Sequence, residues 1–295
     1  MVDRPVEVWR LPEEEVRAGR PALTWTVGPG GELAVLVVPE EYAAPAGSWP
    51  PVRLPFDGEV VVTGPRGEWR VPLSGVDIAG GHLALLPGGR VLLADFRADQ
   101  VGADWVPNAA VYRADGTPER VLGLGDDIRA LVTDRDGRIW MAYGDEGIYG
   151  DHPLAHHGLL GVDTHGRTVW RPEQRKLPAY PLEGLAGATE GRYAWLAWYP
   201  SSSGSHLTRI DPADGSSNTV RLPVRVPVGF AVRGREGVFL SRGGELTWHL
   251  LVGKEWKQTA KRQLRLPGEL DRERAYGRDG VLWFRCGNGW YRVSV

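Results

Sequence analysis

The chain has 295 residues, of which 42% are hydrophobic and 24% charged, and its formal net charge at pH 7 is -2. This balance gives no global positive field, so we expect neither nucleic acid nor an anionic membrane surface as a partner. A single cysteine, Cys286, excludes an internal disulfide, and the segment MVDRPVEVWRLP has no export-signal pattern, so the expected location is cytoplasmic. No apolar run is long enough to span a bilayer, so no membrane segment is expected.

Six similar phrases follow one another along the chain, each an apolar run, a tight turn ending in glycine, and a second apolar run. They span residues 23–38, 82–96, 128–143, 184–198, 228–241 and 275–286. Their turn glycines are predicted at Gly31, Gly89, Gly137, Gly191, Gly237 and Gly280. Separations of 43 to 58 residues are typical of a four-stranded propeller blade with loops of variable length. The sequence therefore predicts an all-β fold, a six-bladed β-propeller with four-stranded antiparallel blades.

Each phrase supplies the first two strands of a blade, and a more polar hairpin after it supplies the other two. The last repeat is too short for a fourth strand, and Val6 to Leu11 at the other end of the chain reads like one. We therefore expect the ring to be closed by pairing the N-terminal strand with the C-terminal blade, which removes exposed sheet edges. A single domain over 1–295 is expected. Its blades are predicted at approximately 23–73, 74–123, 124–177, 178–223, 224–267, and 268–295 together with 5–12.

The repeats differ most in the connection between their second and third strands. This connection has roughly 20 residues in blade 1 (39–58), about 12 in blade 2, about 14 in blade 3 and about 6 in blade 4, but only about 2 or 3 in blades 5 and 6. In a propeller these connections share one face with the links between blades, and we call it the long-loop face. Long loops on a rigid scaffold are where binding groups concentrate, so the site is predicted on this face above blades 1 to 4. The alternative is that the loops are tolerated surface insertions.

The loop of blade 3 carries the richest set of candidate site residues. Asp145 and Glu146 directly follow a strand and are predicted to contact a ligand or a cation, with loop capping as the alternative. His152 and His157 are the candidate catalytic bases, and His152 and His156 have a spacing that a helix would bring to one metal. The proline after His152 disfavours that helix, so solvated loop histidines are the alternative.

Blades 2 and 4 contribute further candidates for ligand binding. Asp95 and Arg97 alternate to the same face of an extended segment, where Arg97 would bind a ligand carboxylate or phosphate or form a structural ion pair between blades. Trp198 and Tyr199 would stack on a sugar or flat ligand, or pack the blade. Nucleophile-elbow, Walker and dinucleotide-binding motifs are absent from the sequence.

The phrase IRALVTDRDGRIWMAYGDEGIYG at 128–150 resembles the short propeller repeat of two-component sensor ectodomains and of the streptogramin lyase family. The lyase resemblance implies a metal-assisted elimination with a histidine base, for which the three loop histidines are the local candidates. At the level of the fold, the chain is also similar to six-bladed calcium-dependent lactonases and gluconolactonase-like hydrolases. That likeness implies a divalent cation, Ca or Mg, held by Glu, Asn and Asp side chains, and Asn108, Asp145 and Glu146 are the nearest candidates.

Two functions of different classes follow. The first is a cytoplasmic binding or interaction module that presents its long-loop face to a small molecule or a protein. The alternative is a metal-dependent hydrolase or lyase with its site at the mouth of the central channel. A sensor ectodomain is a third interpretation, which the lack of an export signal disfavours. The sequence leaves the ligand, the reaction and the oligomeric state open.

Overall fold

A computed structural model describes residues 4–44, 51–65, 67–200 and 204–295 of the chain. It forms two compact units. The larger unit comprises Met1–Arg10, Asp127–Asp134 and Arg138–Val295, and the smaller comprises Leu11–Asp126 and Arg135–Gly137. A single domain over the whole chain stays a prediction. Parts of the predicted loops of blades 1 and 4, at 45–50 and 201–203, lie outside the described residues.

The smaller unit consists of two four-stranded antiparallel sheets, the predicted blades 1 and 2. Strand β1 (Val6–Arg10) opens the chain and belongs to the larger unit. Blade 1 contains β2 (Ala22–Val27), β3 (Leu33–Val37), β4 (Phe56–Gly64) and β5 (Gly67–Val76). Blade 2 contains β6 (His82–Leu86), β7 (Arg90–Ala94), β10 (Ala109–Tyr112) and β11 (Pro118–Leu122), with a small hairpin of β8 (Gln100–Val101) and β9 (Asp104–Trp105) inserted after β7. Helix α1 (Glu13–Arg17) and a 3₁₀ turn (Glu40–Tyr42) complete this unit.

The larger unit holds blades 3 to 6. Blade 3 contains β12 (Ile128–Thr133), β13 (Ile139–Tyr143), β14 (Leu159–Val162) and β15 (Thr168–Trp170). Blade 4 contains β16 (Glu183–Glu190), β17 (Tyr193–Tyr199), β18 (His206–Ile210) and β19 (Ser217–Arg221). Blade 5 contains β20 (Pro227–Arg233), β21 (Glu236–Ser241), β22 (Glu245–Val252) and β23 (Glu255–Gln263). Blade 6 contains β24 (Leu270–Arg278), β25 (Val281–Cys286) and β26 (Gly289–Ser294). Helix α2 (Asp145–Tyr149) and 3₁₀ turns at Ala155–His157 and Gln174–Lys176 lie between strands. No helix among the described residues is both long and apolar enough to cross a bilayer.

The hydrophobic pattern of each repeat explains the burial of its strands. Every residue of β3 and of β13, the second strands of blades 1 and 3, is buried, as their continuous apolar runs predict for strands covered on both faces. The outer strands alternate instead: β5 buries Val71, Leu73 and Val76 while the residues between them stay exposed. This alternation is typical of a strand with one face toward the core and the other toward solvent.

The N-terminal strand completes blade 6, which confirms the predicted closure. Strand β1 pairs antiparallel with β26, with Val6 opposite Arg292 and Arg10 opposite Gly289. The rings of Trp9 and Trp290 lie 5.0 Å apart between centroids, so an aromatic contact reinforces the backbone pairing.

Five of the six predicted turn glycines adopt a positive φ between their paired strands, and the prediction for blade 5 was wrong by three residues. There β20 ends at Arg233 and β21 begins at Glu236, so the turn glycine is Gly234, with φ of 60°. Gly237 lies inside β21, where a Cβ would come within 3.0 Å of the Phe239 ring. It is therefore a packing glycine and not a turn glycine. Two glycines close together in RGREGV made the sequence ambiguous at this point.

The first strands of blades 4 and 6 touch inside the larger unit. Strands β16 and β24 pair in parallel, with Ala188 opposite Gly277. A Cβ on Gly277 would lie 2.0 Å from the carbonyl oxygen of Phe230, so only glycine permits this approach. Next to it, buried Arg278 donates from Nη1 to the carbonyl oxygen of Thr133 (2.6 Å) and to Oγ1 of Thr189 (2.7 Å). One guanidinium thus ties together blades 3, 4 and 6 at the C-terminal ends of their first strands.

Candidate functional site

A cavity of about 1110 Å³ lies in the larger unit at the opposite ends of these strands. Its walls come from the start of β16, the end of β17 and the link from β19 to β20, which are positions on the long-loop face of blades 4 and 5. Blade 3 adds a side chain from β12, and blade 6 adds two from β24. The cavity is thus on the kind of face that loop length indicated, but over blades 3 to 6 and not over blades 1 to 4.

Five arginines line this cavity, against two glutamates, and we call it the arginine cavity. The glutamates are Glu183 and Glu273. The arginines are Arg129, Arg221, Arg225, Arg242 and Arg272. The lining carries a formal excess of three positive charges in a chain whose net charge is -2. Positive charge is therefore concentrated here locally, against the balance of the whole protein.

One of these arginines is held by an acidic network. Nε of Arg129 lies 2.9 Å from Oδ1 of Asp127 and 3.2 Å from Oε1 of Glu183. Asp127 is buried and adopts a positive φ of 57°, and its carbonyl oxygen accepts from the backbone N–H of Gly144 at 2.8 Å. Burial raises the pKa of the Glu183 carboxyl, while Arg129 lowers it. The positive charge of Arg129 is therefore largely neutralised by its own neighbours.

The other arginines of the cavity have fewer acidic partners than Arg129. Arg242 has only a long contact, 3.7 Å from Nη2 to Oε2 of Glu273, between two mostly exposed side chains. Among the described residues, Arg221, Arg225 and Arg272 take part in no ion pair. A guanidinium carries five N–H donors in a planar fork that suits carboxylate and phosphate oxygens. Three such forks are available to a ligand in this cavity.

The link from β19 to β20 is fastened to the start of β18, which positions two of these arginines. The carbonyl oxygen of Ser205 accepts from the N–H of Leu222 at 2.8 Å. The hydroxyl of Ser205 donates to the carbonyl oxygen of Arg225. Gly204 has a φ of 76°, and a Cβ there would come within 3.0 Å of Nη2 of Arg221. The arginines therefore stand on backbone that is held by hydrogen bonds at both ends of the link.

Part of the remaining wall is apolar and includes one of the two predicted aromatic contacts. Tyr199 is 37% exposed and lines the cavity together with Leu185, Val226 and Val228. Trp198, its neighbour, is fully buried, and its Nε1 donates to Oγ1 of Thr208 at 2.8 Å. Successive side chains of a strand point to opposite faces, which separates the pair. Tyr199 thus lies where a ligand would contact it, whereas Trp198 packs the blade.

The acidic pair predicted in the loop of blade 3 lies beside the arginine cavity without lining it. Asp145 and Glu146 begin α2 and are both exposed. The backbone N–H of Asp145 donates to Oε2 of Glu183 at 3.3 Å, which links α2 to the cavity wall. Oδ1 of Asp145 accepts from the N–H of Glu146 at 3.0 Å. The structure therefore gives this pair a local capping contact and a position next to the cavity.

The loop histidines have separate surroundings. His152 is buried, and its Nδ1 accepts from the N–H of Leu154 at 3.3 Å. Nε2 of the exposed His156 lies 2.6 Å from the carbonyl oxygen of Gly150. His157 is half-buried, and burial lowers the pKa of its imidazole, with Arg171 and His156 acting in the same direction. Helix α2 ends before these residues, so helical spacing does not bring His152 and His156 together.

Asp95 and Arg97, the pair predicted in blade 2 of the smaller unit, bind two different partners. Oδ2 of Asp95 accepts from the N–H of Ala79 at 3.2 Å, and burial raises the pKa of Asp95 to about 6. Arg97 instead binds buried Asp126 with both sides of its fork, Nε to Oδ1 at 2.9 Å and Nη2 to Oδ2 at 3.2 Å. The fork that was a candidate for a ligand is therefore occupied by a carboxylate of the protein, the structural alternative.

Asn108, one of the three predicted cation ligands, is engaged by backbone groups within the smaller unit. Oδ1 of buried Asn108 accepts from the N–H of Leu124 at 3.0 Å, and its Nδ2 donates to the carbonyl oxygen of Gly125 at 2.8 Å. Asn108 belongs to the smaller unit, and Asp145 and Glu146 to the larger. The described residues hold no group of three or more His, Cys, Asp or Glu side chains that could bind a metal ion. A cation held by Asn108, Asp145 and Glu146 stays a prediction from the sequence.

Loop length and residue type did not single out the arginines, although a signal was present in the sequence. Arginine greatly outnumbers lysine in this chain, so single arginines carried little information. However, Arg129 and Arg272 fall at the starts of first strands, Arg225 lies just before one, and Arg242 just after a second strand. Aligning the repeats by strand ends, rather than by loop length alone, would have placed all four on the long-loop face.

Comparison with known proteins supports the fold and leaves the family open. No protein-family model matches the sequence, and no curated protein matches it significantly. Solved structures do match in fold. A gluconolactonase from Xanthomonas campestris is 14% identical, with a TM-score of 0.52 over 100% of this chain and 98% of that one. A chain of the mitotic checkpoint complex is 9% identical, with a TM-score of 0.53 over 100% and 91%. A chain from the complex of KlAtg21 with the coiled coil of AgAtg16 is 9% identical, with a TM-score of 0.55 over 90% and 78%. These likenesses confirm the β-propeller fold.

Proposed function

We propose that this protein is a binding module that takes a small molecule into the arginine cavity. The observation that carries the proposal is the cavity itself, which combines a volume suited to a metabolite with convergent charged groups and a smaller apolar patch. Ligand sites in proteins typically measure about 300 to 1,000 Å³. The cavity, at about 1110 Å³, is slightly larger, which leaves room for ordered water around a ligand.

The position of the cavity in the fold supports the same function. Strand ends from four blades contribute to its wall, and below them β16 and β24 are directly paired. A scaffold of paired strands keeps side chains at its strand ends in place, which lowers the entropy lost when a ligand binds. Asp145 and Glu146 stand next to this cavity and Tyr199 lines it, so we retain these three as ligand-binding candidates.

A thermal-shift screen of anionic, cationic and neutral metabolites tests this function. A ligand at 100 times its Kd stabilises a protein by about 2.7 kcal/mol, which corresponds to a rise in Tm of several degrees. We expect at least one compound to give such a rise. In a Val226→Trp variant, where an indole fills part of the cavity without changing its charge, the rise should disappear.

Val169→Trp is the matched control, because Val169 is exposed on β15 and does not line the cavity. It adds the same side chain and should keep the full response. If no compound raises Tm, or if the Val226→Trp variant responds like the wild type, the cavity is not a small-molecule site.

Protein binding is the second candidate, favoured by two of the structural neighbours. Both the mitotic checkpoint chain and the KlAtg21 chain come from protein complexes. If the thermal-shift screen is negative, a protein partner on the long-loop face becomes the favoured function. The metal-dependent hydrolase or lyase, with His152 or His157 as base, and the cytoplasmic location stay predictions from the sequence. A direct check on the former is elemental analysis of the purified protein for calcium and magnesium.

A further inference from the structure

The charge of the arginine cavity narrows the chemistry of its ligand, an inference that rests on the proposed function. Of its five arginines, Arg129 is paired with acidic neighbours and Arg242 has one long contact to Glu273. Arg221, Arg225 and Arg272 have no ion pair among the described residues. A fold that brings several cations to one cavity loses stability through their mutual repulsion. A bound anion would remove that cost.

The cavity differs from other arginine-bearing parts of the chain in the number of arginines that line one space. Some exposed arginines elsewhere have an acidic partner: Arg167 pairs with Asp163 at 2.6 Å, and Arg192 pairs with Asp211 at 2.6 Å. In the described part of the cavity wall, only two glutamates are present for five arginines. The wall therefore carries a surplus of positive charge that is gathered in one cavity.

The apolar part of the wall adds a second requirement. Tyr199, Leu185, Val226 and Val228 cover one part of the cavity, and none of them provides a charge. An inorganic anion alone would leave these side chains against water. A molecule with an apolar or flat body as well as anionic groups would contact both parts of the wall and bury apolar surface.

We propose that the ligand is an organic anion with at least two negative charges, carried by phosphate or carboxylate groups on an apolar or flat body. Three uncommitted guanidinium forks match two or more such charges, since each fork takes one carboxylate or phosphate edge in a bidentate contact. Phosphate and carboxylate share this chemistry, so the experiment must tell them apart. A nucleic-acid backbone is disfavoured because the cations lie in a cavity and the protein as a whole is acidic.

Calorimetric titration with four probes separates these requirements. ADP carries a flat body and phosphates, adenosine the body alone, pyrophosphate the phosphates alone, and citrate only carboxylates. We expect ADP to bind more tightly than pyrophosphate, and adenosine to show no binding. Whether citrate or pyrophosphate binds better identifies the preferred anionic group. Binding should weaken as salt is raised, because exposed charge pairs are screened.

Arginine variants then connect binding to the cavity. Arg225→Gln and Arg272→Gln should each weaken ADP binding at least roughly tenfold, the effect of losing a charged hydrogen bond. Arg175→Gln is the matched control: Arg175 is 86% exposed, lies in the 3₁₀ turn before blade 4, and does not line the cavity. It should bind like the wild type.

Three results would overturn the inference: adenosine binding as tightly as ADP, both glutamine variants keeping wild-type affinity, or none of the probes binding below about 1 mM. The proposed function is tested separately, by the thermal-shift screen. If the thermal-shift screen finds a neutral or cationic ligand whose effect is lost in the Val226→Trp variant, the cavity is a small-molecule site but its ligand is not an organic anion.

Discussion

At the scale of single residues, the environment of a side chain decides its role more than its type does. Asp95 and Arg97 are two positions apart and of opposite charge, yet the first binds the backbone at Ala79 and the second binds Asp126. Trp198 and Tyr199 are adjacent, yet one is buried and one faces the cavity. Residue type alone placed each pair in one site. Strand alternation explains the separation of the aromatic pair, which was not predicted from the sequence, and the partner of Arg97 depends on a long-range contact that no local pattern encodes.

The buried carboxyl of Asp95 leads to a prediction of how the free energy of unfolding changes with pH. Burial, with Asp99 and Asp77 adding like charge, raises its pKa from 3.8 to about 6, so the folded state binds more protons than the unfolded state between these values. Stability contributed by this group is present below pH 3.8 and lost as the pH rises through about 6. We expect Asp95→Asn to gain free energy of unfolding relative to the wild type on going from pH 4 to pH 7, as measured by urea unfolding at both values.

Asp115 supplies a control of opposite sign. Hydrogen bonds from the Thr117 hydroxyl and backbone lower the pKa of this exposed carboxyl. Asp115→Asn should therefore lose stability relative to the wild type as the pH rises toward and past 3.8, because the wild-type carboxylate is favoured once it is ionised, and its effect should change little between pH 4 and pH 7. A difference between wild type and Asp95→Asn that does not change with pH would contradict the account of Asp95.

At the scale of elements, the repeats specified strands well and turns less well. Continuous apolar runs predicted the buried inner strands, because each is covered on both faces, and alternation predicted the outer ones. In blade 5 the position of the turn was misassigned, since Gly234 and Gly237 both suit a tight hairpin in sequence. Only strand pairing, with Arg233 opposite Glu236, shows which glycine turns the chain.

The two glycines of blade 5 should respond differently to substitution. Gly234 has a positive φ and open space around a built Cβ, so alanine there costs about 1 kcal/mol, and asparagine costs less because it adopts this conformation more readily. Gly237 faces Phe239 and Trp256 at 3.0 Å, so the larger asparagine should cost more than alanine. Urea unfolding of the four variants checks this order. The same ranking of asparagine and alanine at both positions would mean that the turn has been misplaced.

At the scale of the whole molecule, periodicity was enough to predict the six blades and the closure. The count followed from six glycine turns and the closure from a missing last strand, and both depend on features repeated along the chain. The arginine cavity was not predictable in the same way. Its wall combines residues from Arg129 to Glu273; strand ends place four of its arginines on one face, but their convergence in one cavity is a property of the folded larger unit.

The central claim is that the arginine cavity binds anionic groups, and anomalous diffraction from crystals soaked in tungstate tests it most directly. Tungstate is a tetrahedral dianion, and the anomalous signal of its metal atom gives its position whatever the natural ligand is. We predict the strongest anomalous peak inside the cavity, within hydrogen-bond distance of Arg225 or Arg272, and its loss in the double variant Arg225→Gln, Arg272→Gln. Tungstate bound only outside the cavity, or a cavity peak unchanged in the double variant, would contradict the claim.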